Sequence, residues 1–129
     1  MIDASVYRDY MAIPYLTMGR DHDGADCWGI TRLILLEQIG IELNEHPGQI
    51  TADESDIELE AIASGWVQVE SPTDWDIAVF KVPWEGWHIV LMLSSDAYLT
   101  TSAQRGIYVD SMCRPAFLRI KSPRFYRYG

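Results

Sequence analysis

Apolar positions recur at helical spacing between Cys27 and Ile39, where Ile30, Leu33, Ile34 and Leu36 follow Asp26, a residue suited to cap a helix start. Gly40 follows as a stop signal. Polar residues in this stretch are few (Thr31, Arg32, Glu37, Gln38), so the helix is expected to be buried on most sides. A second helix is expected over 51–64. There Thr51 and Glu54 make a capping box, Ile57, Ala61 and Ile62 form the apolar stripe, and Gly65 ends it. The acids Asp53, Asp56, Glu58 and Glu60 mostly lie opposite that stripe and read as a solvated face.

After Gly65 the period changes to that of strands: Trp66–Val69, Ile77–Phe80, His88–Leu93, Ala97–Thr100 and Gly106–Val109. Turn-forming residues separate them at 71–74, 83–86 and 94–96. Ahead of the first long helix lie a short helical stretch ending near Met11 and an Asp-rich segment punctuated by Pro14, Gly19 and Gly24. Helices first and a meander of strands afterwards is the α+β pattern, with N-terminal helices packed on an antiparallel sheet.

The 129 residues suit one domain, 1–129, without internal repeats or a linker. Apolar residues are 48% and charged residues 22%, the balance of an ordinary folded domain. No apolar run approaches the roughly 18 residues of a membrane span, and the N-terminal residues lack a signal-peptide pattern, so no membrane role is expected. Two cysteines cannot build a disulfide framework.

The charge is divided along the chain. Residues 1–113 hold all 19 acids and five bases, a formal −14. Residues 114–129 carry five bases, no acid, and Phe117, Phe125, Tyr126 and Tyr128. The acidic body argues against general nucleic-acid binding. The basic, aromatic segment could stack on single strands. Docking on its own acidic body or on a protein partner is the favoured expectation.

Cys27 stands at the first turn of the buried helix, where free amides and the dipole favour a thiolate, while Asp26 opposes it. His88 opens an apolar strand from which an imidazole could reach a helix start, and Cys with His is the minimal nucleophile–base pair for acyl transfer. Asp21, His22, Asp23, Asp26 and Cys27 match no standard zinc spacing and read as a polar loop, so no metal is expected. His46 reads as a loop residue and Cys113 as incidental; Trp84 and Trp87 could rim a groove or fill the core.

Pro14-Tyr15, Gly19, Gly24 and Asp26-Cys27-Trp28-Gly29 together resemble the nucleophile block of the NlpC-like cell-wall cysteine peptidases, a papain-like family. Trp75–Phe80 resembles that family's Gly-Asp-hydrophobic strand, and His88-Ile89-Val90 its base-bearing strand. Trp28 after the cysteine and the Arg/Tyr-rich ending resemble the bacteriophage tail branch. Met18 stands where the first glycine of a pair is usual, and Trp75 where a glycine precedes Asp76.

The resemblance implies a papain-like fold and hydrolysis of amide bonds in peptidoglycan stem peptides, without a cofactor. It implies Cys27 as nucleophile, His88 as base, and Tyr15 with the Cys27 N–H as oxyanion donors. The third catalytic position falls on Thr100, where a hydroxyl would orient His88 more weakly than a second imidazole; Thr101 and Ser102 are its neighbours. The implied partners are the stem peptide and other tail-tip proteins, and the implied location is the virion tail, after synthesis in the host cytoplasm. The alternative is a structural tail-tip component of the same fold with weak or lost catalysis.

Overall fold

The computed structural model describes residues 1–44, 65–82, 86–114, 120 and 123–129. The expected helix over 51–64, His46, Trp84 and Phe117 lie outside these residues.

A short helix α1 (Ala4–Tyr7) runs into a 3-10 turn (Arg8–Tyr10). Two-residue strands β1 (Arg20–Asp21) and β2 (Gly24–Ala25) then form a small hairpin ahead of α2 (Cys27–Ile39). The hairpin has no alternating pattern long enough to announce it in sequence. Helix α2 matches the expected span, with Asp26 accepting from the Gly29 N–H and Gly40 closing the end at φ 68°. Cys27 through Thr31 and Leu33 through Leu35 are all buried.

Six strands make the main sheet: β3 (Trp66–Val69), β4 (Ile77–Val82), β5 (Gly86–Met92), β6 (Ala97–Ser102), β7 (Gly106–Ser111) and β8 (Arg124–Tyr128). Their order is β3-β8-β4-β5-β6-β7, and every pairing is antiparallel. Alternation along the strands gives the sheet two apolar faces. One face, with Ile77, Val79, Ile89, Leu91, Leu99 and Tyr126, packs with α2 in the main core. The other carries Ala78, Phe80, Val90, Met92, Tyr98 and Phe125 in a second cluster.

Strand β8 lies inside the sheet, so the end of the basic segment is ordered against its own domain. Its Arg127 reaches Asp76 at the start of β4, with Nε 3.0 Å from Oδ1 and Nη2 2.8 Å from Oδ2. Asp76 is buried, and its Oδ2 also accepts the Thr73 N–H, so the carboxylate has partners on several sides. The aspartate raises the Arg127 pKa further by hydrogen bonding and charge.

Candidate functional site

The segment before α2 is tied down by one carboxylate. Asp26 Oδ1 accepts the Gly29 N–H at 2.8 Å and Arg20 Nη1 at 2.7 Å, while Oδ2 accepts the Met18 N–H at 3.1 Å. The N-cap of the helix therefore also holds the preceding loop and hairpin. Gly29 lets the two meet, because a Cβ there would strike the Gly19 carbonyl.

Met18 and Trp75, the two residues standing where glycines are usual, both have positive φ, 63° and 70°. Each is the third residue of a hydrogen-bonded turn: Gly19 N–H donates to Leu16 O at 2.8 Å, and Asp76 N–H to Thr73 O at 3.1 Å. That turn position favours glycine because a Cβ is strained there. The backbone shape is kept even though the side chain has changed.

Cys27 is buried at the start of α2. Burial pushes its thiol from an ordinary 9.0 up to about 12. The Ile89 and Trp28 N–H groups and the Arg20 charge pull it down, and Asp26 pushes it further up. The helix start was expected to favour a thiolate; desolvation outweighs it here. At neutral pH the sulfur is a thiol, so nucleophilic attack needs a base.

Ile89, whose N–H lowers the Cys27 pKa, lies in β5 next to His88. Trp75 N–H donates to Met92 O at 3.0 Å, and Met92 N–H donates to Asp76 O at 2.8 Å, so the polar groups of Met92 face the β4 side. By strand alternation those of Ile89 and Leu91 face β6. Among the described residues the β5–β6 ladder runs through Leu91↔Leu99 and Met92↔Tyr98 and stops there. Beyond it, a side chain supplies a partner for the Ile89 carbonyl. Thr100 Oγ1 donates to Ile89 O at 3.2 Å.

His88 precedes that peptide. It pairs with Phe80 across β4–β5, and the two rings stack with centroids 6.3 Å apart and planes 13° apart. The imidazole thus belongs to the Phe80 face of the sheet, while Cys27 approaches from the α2 face. Thr100 is fully buried, and the donor of its hydroxyl goes to Ile89 rather than to the imidazole; its lone pairs are what it could offer a ring N–H. Tyr15 is half-buried and bridges Ala25 through its backbone, two residues before Cys27.

The residues considered for a metal have other partners. His22 Nε2 lies 2.9 Å from both Glu37 oxygens and stacks on Tyr10, and Asp21 accepts the Asp23 N–H. Residues that sequence reasoning passed over are Arg20, which neutralises Asp26, and Ile89, whose contribution is its peptide. A backbone donor leaves no trace in residue type.

The model of the NlpC/P60 family matches residues 12–120. No curated protein matches the chain. Among solved structures, the NlpC/p60 domain of the peptidoglycan hydrolase SagA is 20% identical, with 98% of this chain and 95% of that one covered and a TM-score of 0.65. An NlpC/P60 family protein from Bacillus cereus ATCC 10987 is 16% identical, covering 91% of this chain and 36% of that one, with a TM-score of 0.62. A protein described as similar to lipoprotein, of the NLP/P60 family, from Staphylococcus aureus subsp. aureus Mu50 is 14% identical, covering 96% and 42%, with a TM-score of 0.63. The likeness is one of fold: the six-stranded antiparallel sheet with its buried helix is the papain-like fold of these domains.

Proposed function

Given that the chain belongs to the NlpC/P60 family, we propose that it is a cysteine peptidase that hydrolyses amide bonds in the stem peptides of peptidoglycan. The observation that carries this reading is Cys27, buried at the first turn of α2, the helix that packs on the sheet whose β5 bears His88. In this reading His88 takes the thiol proton as the sulfur attacks the scissile carbonyl. A tetrahedral oxyanion forms, stabilised by the Cys27 N–H and the Tyr15 hydroxyl. Collapse breaks the C–N bond, His88 returns the proton to the leaving amine, and water then hydrolyses the thioester.

The test is turbidity loss of purified peptidoglycan with the wild-type chain and Cys27→Ala. We expect hydrolysis by the first and none by the second, with the alanine variant still folded. Equal hydrolysis by both would end the cysteine mechanism.

A setting in a phage tail rests on Trp28 and the Arg/Tyr-rich ending alone. The second reading, a structural tail-tip component, is favoured by the hydroxyl of Thr100 at the third position and its commitment to Ile89. A wild-type chain that leaves peptidoglycan intact yet binds neighbouring tail proteins would support it.

A further inference from the structure

Arg20 and Asp26 form an ion pair almost closed to water, with side-chain exposures of 12% and 8%. Arg20 Nη1 lies 2.7 Å from Asp26 Oδ1 and also donates to the Gly19 carbonyl at 2.9 Å. The carboxylate is folded over the first turn of α2, because the same Oδ1 accepts the Gly29 N–H, two residues beyond Cys27. A negative charge therefore sits on the neighbour of the nucleophile, in surroundings where water screens it poorly. Capping alone does not require that charge, since serine or asparagine caps a helix as well. The compensating cation comes from β1 of the hairpin, not from the helix.

We propose that Arg20 is a positioning residue for Cys27 that acts through Asp26: it fixes the capping carboxylate and neutralises it, so that the sulfur can ionise as attack begins. The proposal rests on the reading of Cys27 as nucleophile for its catalytic meaning, but the linkage is testable without any substrate. The two charges act on the thiol in the senses this requires, Asp26 against ionisation and Arg20 towards it. Helix α2 itself carries Arg32 and Glu37, and Glu37 is paired with His22. Of the elements packed on α2, β1 carries Asp21 beside Arg20, β2 has no charged residue, β5 carries His88, and β6 carries Tyr98 in the cluster on the far face. Substituting Arg20 leaves all of these in place. It also separates charge from mere support by sign. A loosened loop would uncover the buried sulfur and speed its modification, whereas a lost cation slows it.

The experiment measures Cys27 alkylation by iodoacetamide and by the bulkier iodoacetanilide from pH 7 to 10. It uses the full chain with Cys113→Ser as the background and intact mass as the readout. Rate follows thiolate fraction. Arg20→Met keeps a long flexible side chain and removes the charge. It is expected to slow alkylation at every pH by about 3- to 10-fold, by the same factor for both reagents. Arg20→Lys is expected to return the rates to within about 2-fold of the parent. The bonds to Gly19 and Asp26 both leave from one nitrogen, and an ammonium carries three donors.

A folded Arg20→Met variant with unchanged or faster alkylation would overturn the proposal, as would slowing confined to one reagent. An Arg20→Lys variant as slow as methionine would overturn it too. If Arg20→Met does not fold, Arg20→Lys decides alone: rates within about 2-fold of the parent for both reagents uphold the proposal, and a larger displacement overturns it. Intact hydrolysis by Cys27→Ala would instead remove the peptidase reading and leave the Arg20–Asp26–Cys27 linkage standing.

Discussion

Thr101 offers a test of the core beside the site. It sits on β6 opposite Ile107 of β7 and is 1% exposed. Its hydroxyl has no hydrogen-bond partner. A buried hydroxyl without a partner costs on the order of 1–3 kcal/mol relative to one left in water. Thr101→Val replaces that hydroxyl with a methyl of nearly the same size, and valine is at least as good a strand residue. Repacking is minimal, so a gain of about 1 kcal/mol is expected, at the lower end of the range. For a domain of this length that is a rise in melting temperature of roughly 3–5 °C. Urea denaturation should show a higher midpoint at an unchanged slope. A loss of stability would refute the reasoning, because it would mean the hydroxyl has a partner in solution. The same variant separates the two neighbouring threonines functionally. Peptidoglycan hydrolysis should survive Thr101→Val; its loss, with stability raised, would move the third position from Thr100 to Thr101.

Two further predictions concern the thiol and the loop that precedes it. The folded chain holds the Cys27 proton up to about pH 12, while the unfolded chain releases it near 9.0. Wild-type stability should therefore fall relative to Cys27→Ala as pH rises through that window, at up to about 1.4 kcal/mol per pH unit, as read by denaturation at stepped pH. Tyr10 and Tyr98, whose pKa values are also raised by burial, cancel in the difference. Met18→Gly should stabilise by about 0.5 kcal/mol. It relieves a left-handed residue worth roughly 1–2 kcal/mol and costs roughly 0.5–1 kcal/mol of chain entropy. Met18 is half-exposed, so little packing is lost, and a destabilised glycine variant in urea would show that its side-chain contacts outweigh the strain.

Helix α2 was legible at both ends because its caps are local chemistry: Asp26 and Gly40 act within a few residues of themselves. Strand β3 was legible for the same reason, bounded by Gly65 and Ser71. Strand β8 was not. Its charges and aromatics suggested docking on the acidic body but not a strand, whereas Tyr126 faces the main core, Phe125 faces the second cluster, and Arg127 serves a buried aspartate 51 residues away. Pairing at that distance is invisible to a reading that proceeds window by window. Met18 and Trp75 show the reverse case. As residue types they depart from the family's pattern, and as backbone they keep it. Cys27 was legible as a position but not as an acid, because its desolvation comes from the sheet packed over it.

The placement of β8 also bears on the order in which this chain is made. Among the described residues β3 pairs with β8 alone, and β4 meets β8 on the side away from β5. While a ribosome is still translating residues before 124, β4 through β7 can assemble as successive hairpins, but β3 has no strand to join. Trp66 and Val67 must wait as part of an unfinished edge, and the buried Asp76 waits for its guanidinium. Closure of the domain is thus a late event in synthesis, when one strand slides between two others already made, and until then the nascent chain offers two open strand edges to any neighbour.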